Sequence, residues 1–264
     1  MHVSELHGGT SRPLVVWDFD GTVAVGHAPV RVYAREVEQR ADDAAGLSLR
    51  VADFLADPHC CPELASAQDG YQAVALLARD RGISQRVLDA AYVASRALLG
   101  REPGDLTAPP GLVGLLNELD VTRVLVTNSP DTGLAAMLDH LGLTGSFDRI
   151  VTSANKPPSF GQLLADLLDE HGLGGRPGHL LSVGDIWAND LEPALALGCT
   201  TAYVDPMGRG AGPAHLRAAT LPQLYPGIVG WADDPARFVE EHPLRLDAPV
   251  PTGTGSPTRP GSGD

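Results

Sequence analysis

Short apolar segments alternate with helical patterns along most of this 264-residue chain, and the alternation restricts the folds that it can adopt. Apolar segments rich in Val, Leu or Ile are typical of buried strands. Continuous apolar strands separated by helices predict a parallel sheet with helices on both faces, the doubly wound, Rossmann-like α/β fold. The predicted strands are LVVWDF (14–19), VTRVLVT (121–127), RIVTS (149–153), HLLSVGD (179–185) and TTAYVD (200–205), and the helical patterns between the later ones are TGLAAMLDHLG, FGQLLADLLDEHG and NDLEPALALG.

Residues 26–109 interrupt this alternation with helical patterns and no clear strand. The stretch EPGDLTAPPG at 102–111 is rich in Pro and Gly and is typical of a hinge back to the sheet. We therefore predict an all-helical domain over 26–109, inserted just after the first strand of an α/β core formed by 13–25 and 110–247. The helical patterns of the insertion are VRVYAREVEQRADDAAG, VADFLAD, PELASAQDGYQAVALLARDRG and SQRVLDAAYVASRALLG.

The two ends of the chain are expected to be disordered. Residues 1–12 have little apolar content, and 248–264 are rich in Pro, Gly, Ser and Thr. The first residues lack the basic patch and apolar core of a secretory signal, so we expect a cytoplasmic protein. Three cysteines without zinc-like spacing fit that compartment as reduced, packed thiols: Cys60, Cys61 and Cys199.

The charge of the chain argues against two classes of partner. The formal net charge is −14, from 33 acidic and 19 basic residues, and such a chain repels a phosphate backbone. Nucleic-acid binding is therefore disfavoured. No apolar run approaches the roughly 18 to 20 residues that span a bilayer, so a membrane-spanning role is also disfavoured. The pattern does not indicate an oligomeric state.

Polar residues of unusual type follow three of the predicted strands. The first strand delivers Asp18 and Asp20, the second is followed by Thr127-Asn128-Ser129, and the fourth is followed by Asp185, with Asn189-Asp190 just beyond. The carboxyl ends of strands in a doubly wound sheet meet at one ligand crevice. Carboxylates meeting there would repel one another without a cation, and an all-oxygen ligand set is what Mg²⁺ prefers.

The stretch DFDGT leaves several interpretations open. One interpretation is that its aspartates accept hydrogen bonds from amides in a turn; another is that one aspartate acts as a nucleophile while the other transfers protons. A calcium loop fits the spacing Asp18-x-Asp20-x-Thr22, but its required Gly and Glu are replaced by Val23 and Pro29, so that interpretation fails.

Four motifs in order carry a family resemblance: DFDGT after the first strand, VLVTN after the second, NKPP further on, and VGDIWAND after the fourth. Together they resemble the haloacid dehalogenase (HAD) superfamily over about residues 14–205. The helical insertion lies where members with a type C1 cap carry it. The resemblance is to the phosphatase type, similar to phosphoglycolate phosphatase and β-phosphoglucomutase, and implies a hydrolase that requires Mg²⁺.

The resemblance also implies a role for each motif residue. Asp18 matches the nucleophile that forms an aspartyl-phosphate, and Asp20 matches the general acid/base, whose backbone carbonyl also binds the metal. Thr127 matches the hydroxyl that hydrogen-bonds the transferring phosphoryl group, with the backbone amide of Asn128 beside it. An alternative is that Thr127 and Asn128 cap the helix that begins near Asp131.

Three further residues complete the implied site. Lys156 matches the cation that binds phosphate and offsets the charge of the nucleophile, and it is the only lysine of the chain; a surface lysine is the alternative. Asp185 matches a metal ligand, as do Asp18 and Asp20. Asp190 matches a supporting acid that orients the waters of the metal or Lys156, although an acid in the first turn of a helix is favourable without catalysis.

Asp20 indicates which chemistry to expect. Dehalogenase members lack an acid there, so DFDGT favours hydrolysis of a small phosphorylated metabolite over carbon–halogen cleavage. A phosphonatase would place a Schiff-base lysine in its cap, and this insertion has none. A phosphomutase of the β-phosphoglucomutase type and a catalytically idle HAD-fold binding protein are the alternatives that the motifs leave open.

In the insertion, five side chains are candidates for substrate contact, although a solvated helix residue is the favoured interpretation of each: His27, Arg31, Arg35, His59 and Tyr71.

Overall fold

A six-stranded parallel sheet forms the centre of the protein in a computed structural model that describes residues 12–244. The strand order is β3-β2-β1-β4-β5-β6, with β1 and β4 adjacent at the centre. The predicted doubly wound α/β fold is therefore confirmed. The strands are β1 (Leu14–Trp17), β2 (Thr122–Val126), β3 (Arg149–Val151), β4 (Leu180–Gly184), β5 (Thr200–Val204) and β6 (Leu216–Ala218).

The register of the sheet brings distant parts of the chain to one edge. Trp17, the last residue of β1, is aligned with Leu125 on β2 and Val183 on β4. Asp18, Thr127 and Asp185, which follow these three strands, therefore emerge side by side, although 58 or more positions separate each from the next in sequence. The predicted convergence of strand ends follows directly from this register.

The sixth strand was not predicted. β6 pairs with β5 at the edge of the sheet and has the sequence LRA, with Arg217 at its centre. Three residues with a charged side chain in the middle show no apolar run, so backbone pairing with β5 defines this strand. The helices that follow it, like the short helix before β2, were also not predicted.

Ten helices accompany the sheet in the described residues: α1 (Ala28–Glu38), α2 (Leu47–Ala56), α3 (Gly70–Asp80), α4 (Gln85–Leu99), α5 (Leu112–Glu118), α6 (Leu134–His140), α7 (Phe160–Glu170), α8 (Glu192–Ala196), α9 (Tyr225–Asp233) and α10 (Pro235–Glu241). The pattern predicted over 62–82 forms a regular α-helix only from Gly70. Asp69 caps that helix, because its side chain accepts a hydrogen bond of 2.7 Å from the backbone N–H of Gln72.

Helices α1–α4, here called the helical unit, have a hydrophobic cluster of their own. Phe54 of α2 is fully buried in this cluster, as are Leu47 and Val51. The sheet buries different side chains on its two faces, with Trp17 and Leu125 on one and Val16 and Val124 on the other. The helical unit therefore has its own apolar core and lies beside the carboxyl edge of the sheet.

The structure also bears on the expectations for the cysteines, for membrane-spanning helices and for the chain ends. Cys61 and Cys199 are buried thiols as expected, but Cys60 is exposed, so the expectation of a packed thiol is wrong for Cys60. None of the helices within residues 12–244 has the length and apolar character needed to cross a membrane. The predicted disordered ends lie outside the described residues, except for Arg12.

The core of the helical unit can be tested by a pair of substitutions on α2. We expect Phe54→Ala to lower the free energy of unfolding by about 3–5 kcal/mol, because it removes a fully buried ring and leaves a cavity. Leu49→Ala on the same helix is the matched control, since Leu49 is 68% exposed and its loss should change stability by less than about 0.5 kcal/mol. Urea denaturation followed by circular dichroism measures both, and equal effects would contradict a separate core in this unit.

Candidate active site

The predicted site residues lie together at the carboxyl edge of the sheet. Asp18 follows β1, Thr127 follows β2 and Asp185 follows β4, while Lys156 lies in the loop after β3. A cavity of about 350 Å³, here called the catalytic cavity, is lined by all of the predicted site residues: Asp18, Asp20, Thr127, Asn128, Lys156, Asp185 and Asp190. The structure thus brings together every residue that the motifs indicated.

Lys156 is buried at the centre of this group. Its Nζ donates hydrogen bonds to Asp18 Oδ1 at 2.7 Å, to Asp190 Oδ1 at 2.6 Å and to the backbone carbonyl of Val126 at 3.1 Å. Burial opposes the charge of the ammonium, but the carboxylates of Asp18 and Asp190 raise the pKa of Lys156 above its ordinary value. The alternative of a surface lysine is therefore wrong.

The loop of Lys156 is held by the side chain of Asn128. Its Oδ1 accepts a hydrogen bond from the backbone N–H of Lys156 at 2.6 Å, and its Nδ2 donates to the backbone carbonyl of Lys156 at 3.0 Å. This paired contact between the β2 and β3 loops was not predicted. It fixes the backbone from which the ammonium extends.

The alternative role of Thr127 and Asn128 as a helix cap is wrong. Helix α6 begins at Leu134, its capping residue is Gly133, and no side chain caps it. The Thr127 hydroxyl is buried and instead accepts a hydrogen bond from the backbone N–H of Ser129 at 3.0 Å. Within residues 12–244 the hydroxyl hydrogen of Thr127 has no acceptor, and Thr127 lines the catalytic cavity, into which it can be donated.

Three carboxylates form a cluster that fits a divalent cation. One oxygen from each of Asp18, Asp185 and Asp190 lies within 4.8 Å of the others, and Asp185 Oδ1 is buried without a hydrogen-bond partner among the described residues. Burial raises the pKa of Asp18 to about 7 against the opposing effect of Lys156, and burial with the charges of Asp18 and Asp190 raises that of Asp185 well above its ordinary value. All-oxygen ligand sets suit hard divalent cations, and the unpaired buried oxygen of Asp185 fits such an ion.

Asp190 is more than an acid at a helix N-terminus. It lies in a π-helical turn over Trp187–Leu191, ahead of α8, and only 2% of the residue is exposed. Its second carboxylate oxygen accepts a hydrogen bond from the backbone N–H of Ile186 at 3.1 Å, while the first binds Lys156. Pairing with Lys156 therefore accounts for Asp190 better than the helix dipole does.

The side chain of Asp20 lies in a different network, outside the carboxylate cluster. Arg96 of α4 binds it in a bidentate ion pair, with Nη1 donating to Oδ1 and Nη2 to Oδ2, both at 2.9 Å. Ser129 Oγ donates to Oδ2 at 2.8 Å, and the Tyr71 hydroxyl donates to Oδ1 at 3.2 Å. If Asp20 contributes to a metal site, its backbone must do so, because its carboxylate is occupied by these donors.

Arg96 was missed by the sequence analysis. It is fully buried and packs over the rings of Tyr71 and Tyr92, with its guanidinium carbon 5.4 Å and 4.9 Å from their centroids. Its Nη2 also donates to the hydroxyls of both tyrosines. The signal available in the sequence was the pair Tyr92 and Arg96, four positions apart on one face of a predicted helix.

The five candidate side chains of the insertion lie in different surroundings. Tyr71 contacts Asp20, so the interpretation as a solvated residue is wrong for it. His27 is exposed and lines a neighbouring cavity. Arg31 forms an ion pair with Asp105, and Arg35 and His59 are exposed and do not line the catalytic cavity.

Comparison with known proteins gives a family and a set of structural relatives. The sequence model of the haloacid dehalogenase-like hydrolases matches residues 13–198. No curated protein matches the chain in sequence. The HAD phosphatase from Thermococcus onnurineus is 20% identical, with a TM-score of 0.54 over 83% of this chain and 98% of that one.

Two other solved structures show how varied the relatives are. The HAD-hydrolase YfnB from Bacillus subtilis, bound to magnesium, is 16% identical, with a TM-score of 0.55 over 83% of this chain and 99% of that one. The 2-haloacid dehalogenase from Pseudomonas syringae pv. Tomato DC3000 is 16% identical, with a TM-score of 0.50 over the same shares. At such identities the likeness establishes a common fold.

The ion pair between Arg96 and Asp20 should contribute to stability. We expect Arg96→Met to lower the free energy of unfolding by about 3 kcal/mol, because it leaves the carboxylate of Asp20 without its counter-charge. Arg79→Met is the matched control, since the Arg79 side chain is 74% exposed and its replacement should cost less than about 0.5 kcal/mol. Thermal and urea unfolding measure both, and equal costs would show that the buried pair contributes no more than a surface charge.

The close approach of Asp190 to β4 requires glycine at position 184. A Cβ added to Gly184 would lie 2.3 Å from Asp190 Cβ, so Gly184→Ala should displace Asp190 and lower the free energy of unfolding by about 1–3 kcal/mol. Gly114→Ala is the control, because Gly114 is exposed on α5 and an added Cβ meets nothing within 4 Å. That change should instead raise the free energy of unfolding by about 0.5–1 kcal/mol. Opposite signs are expected in urea denaturation; two stabilising changes would refute this close packing.

Proposed function

We propose a function from one premise: this chain belongs to the haloacid dehalogenase-like hydrolase family. The proposed activity is Mg²⁺-dependent hydrolysis of a small phosphomonoester through an aspartyl-phosphate on Asp18. The observation that carries the proposal is the separation of the two acids of DFDGT. Asp18 lies against Lys156 within the carboxylate cluster, whereas Asp20 lies among Arg96, Ser129 and Tyr71.

The different surroundings suit the acids to different tasks. A nucleophilic carboxylate needs to be ionised and fixed in direction, and the Lys156 ammonium at 2.7 Å favours both. Asp18, Asp185 and the backbone carbonyl of Asp20 would hold the cation, while Asp190 supports the site with its oxygens on Lys156 and Ile186. When bound, Mg²⁺ neutralises charge on the carboxylates and on the phosphoryl oxygens.

The proposed reaction has two displacements. A carboxylate oxygen of Asp18 attacks phosphorus, the bond from phosphorus to the alcohol oxygen breaks, and Asp20, having taken up a proton from solvent on its release from Arg96, gives that proton to the departing oxygen. Asp20 then takes a proton from water as the water attacks phosphorus, and the bond between phosphorus and Asp18 breaks. The products are the alcohol and inorganic phosphate, and Asp18 is regenerated. Thr127 would donate its free hydroxyl hydrogen to a phosphoryl oxygen, with the backbone amide of Asn128 beside it.

The hydrogen bonds around Asp20 imply that part of the site moves during the proposed reaction. Its carboxylate accepts hydrogen bonds from Arg96, Tyr71 and Ser129, so at least one of these contacts has to open before Asp20 can carry a proton to the substrate. Arg96 and Tyr71 belong to the helical unit, so displacement of this unit would release Asp20. The YfnB structure is described as revealing interdomain movement.

Dehalogenases among the structural relatives define the main competing chemistry. An acid at position 20 supports phosphoryl transfer, because carbon–halogen cleavage needs no proton for the departing halide. The phosphomutase alternative differs in whether water or a sugar hydroxyl takes the phosphoryl group. The substrate is proposed to be a small phosphorylated metabolite in the cytoplasm, and the net charge of −14 disfavours nucleic acid as a partner.

Hydrolysis of p-nitrophenyl phosphate tests the proposal. We expect release of p-nitrophenol with Mg²⁺ and none after EDTA, with activity restored by added Mg²⁺. Asp18→Asn should lower kcat by on the order of 10³-fold or more, because the nucleophile is lost. Asp120→Asn is the control and should keep full activity, since the Asp120 side chain is 94% exposed and is not in the site.

Other outcomes would point elsewhere. Activity that persists in EDTA or in Asp18→Asn would contradict the mechanism. Chloride release from 2-chloropropionate without phosphatase activity would favour the dehalogenase, and formation of a sugar bisphosphate or isomer instead of inorganic phosphate would favour the mutase.

A further inference from the structure

We infer that the alcohol part of the substrate is uncharged and largely apolar, and that it occupies a second cavity beside the catalytic one. The inference rests on the proposed phosphatase function and narrows its substrate class. The second cavity, here called the apolar cavity, has a volume of about 550 Å³. Cavities of this size accommodate small organic ligands.

The two cavities adjoin at residues that line both of them. Asp20, Asp69, Tyr71 and Asp185 belong to both sets of lining residues, whereas Asp18 and Lys156 line the catalytic cavity and not the apolar one. In the proposed reaction, phosphorus lies next to Asp18 and the departing oxygen lies next to Asp20. The carbon chain beyond that oxygen therefore has a direct route past Asp20 into the apolar cavity.

Apolar side chains from both parts of the protein form the walls. The helical unit contributes side chains from α1 and α2, and the core contributes them from the loops near 109 and after β5 and β6. Burial of alkyl or aryl carbon against such walls is favourable by about 25 cal/mol per Å² of apolar surface. The principal apolar residues are Pro29, Val30, Leu55, Pro110, Met207 and Leu221.

The charges around the apolar cavity exclude a second anionic group. Its ionisable lining residues are three carboxylates, one imidazole and one phenol, with no lysine or arginine: Asp20, Asp69, Asp185, His27 and Tyr71. A carboxylate or second phosphate on the alcohol would find no lysine or arginine in this lining to pair with it.

The nearby guanidinium groups do not change this conclusion. Arg96 is fully buried and is not among the residues that line the apolar cavity. Arg209 is exposed beside the cavity, and its Nε donates to the sulfur of Met207 at 3.2 Å. Lys156, in the catalytic cavity, is already committed to three oxygen acceptors. The negative charge of the substrate is therefore confined to one phosphoryl group.

A matched pair of substrates tests the inference. Butyl phosphate and 4-phosphooxybutanoate differ only in a terminal methyl group or carboxylate. With Mg²⁺ present, we expect kcat/KM to be at least about tenfold higher for butyl phosphate. An equal or higher value for 4-phosphooxybutanoate would overturn the inference.

A charge introduced into the cavity wall should change this preference. Met207 is 39% exposed, so Met207→Arg should fold, and it should raise kcat/KM for 4-phosphooxybutanoate by about tenfold while lowering that for butyl phosphate. Val93→Arg is the matched control, because Val93 is 50% exposed on α4 and lines neither cavity; both values should stay as in the wild type. An unchanged preference in Met207→Arg would count against the alcohol occupying this cavity.

Arg209→Gln tests whether the exposed guanidinium of Arg209 binds the alcohol part of the substrate. We expect the ratio of the two kcat/KM values to stay the same in this variant, and a selective loss for 4-phosphooxybutanoate would show that Arg209 binds an anionic alcohol.

Failure of this inference is distinct from failure of the proposed function. If p-nitrophenyl phosphate is hydrolysed and the carboxylated ester is preferred, only the inference fails; if no phosphate ester is hydrolysed, both proposals fail.

Discussion

The ammonium of Lys156 holds the catalytic cavity together. Burying Asp18 and Asp190 near each other and near Asp185 is unfavourable unless a cation stands among them. Lys156 supplies that cation, and its three donors find three oxygen acceptors. Neighbouring parallel strands bring these groups into reach, and Asn128 fixes the loop that carries the lysine.

A second buried cation gives the helical unit a part in the site. Arg96 reaches across from α4 and pairs with Asp20, so the core supplies the acid and the helical unit supplies its counter-charge. The two acids of DFDGT consequently belong to two networks that can change independently. Movement of the helical unit would alter the surroundings of Asp20, while Asp18 would keep its contact with Lys156.

Features that depend on a local sequence pattern could be predicted from the sequence. The first five strands are apolar runs, and Asp18, Thr127 and Asp185 follow the strands whose register brings them together. Lys156 stood out as the only lysine, in a motif that the family shares. These signals need no knowledge of how the helices pack.

The features that were missed depend on tertiary contacts. Strand β6 has only three residues and a central arginine, so its partner β5 defines it. Arg96 lies in an amphipathic helix, where an arginine is ordinarily a surface residue. Its burial becomes visible only when α4 is placed against Asp20, and the same holds for the contact between Tyr71 and Asp20.

The scarcity of lysine has a practical consequence for chemical labelling. The chain has one side-chain amine, it belongs to a residue that is 7% exposed, and each of its hydrogens is donated to an oxygen of the site. An amine-reactive reagent therefore has no competing lysine elsewhere on the molecule. Acylation of Lys156 over time would report opening of the catalytic centre, read as a mass shift on the peptide that carries Lys156 and counted apart from acylation of the terminal α-amine.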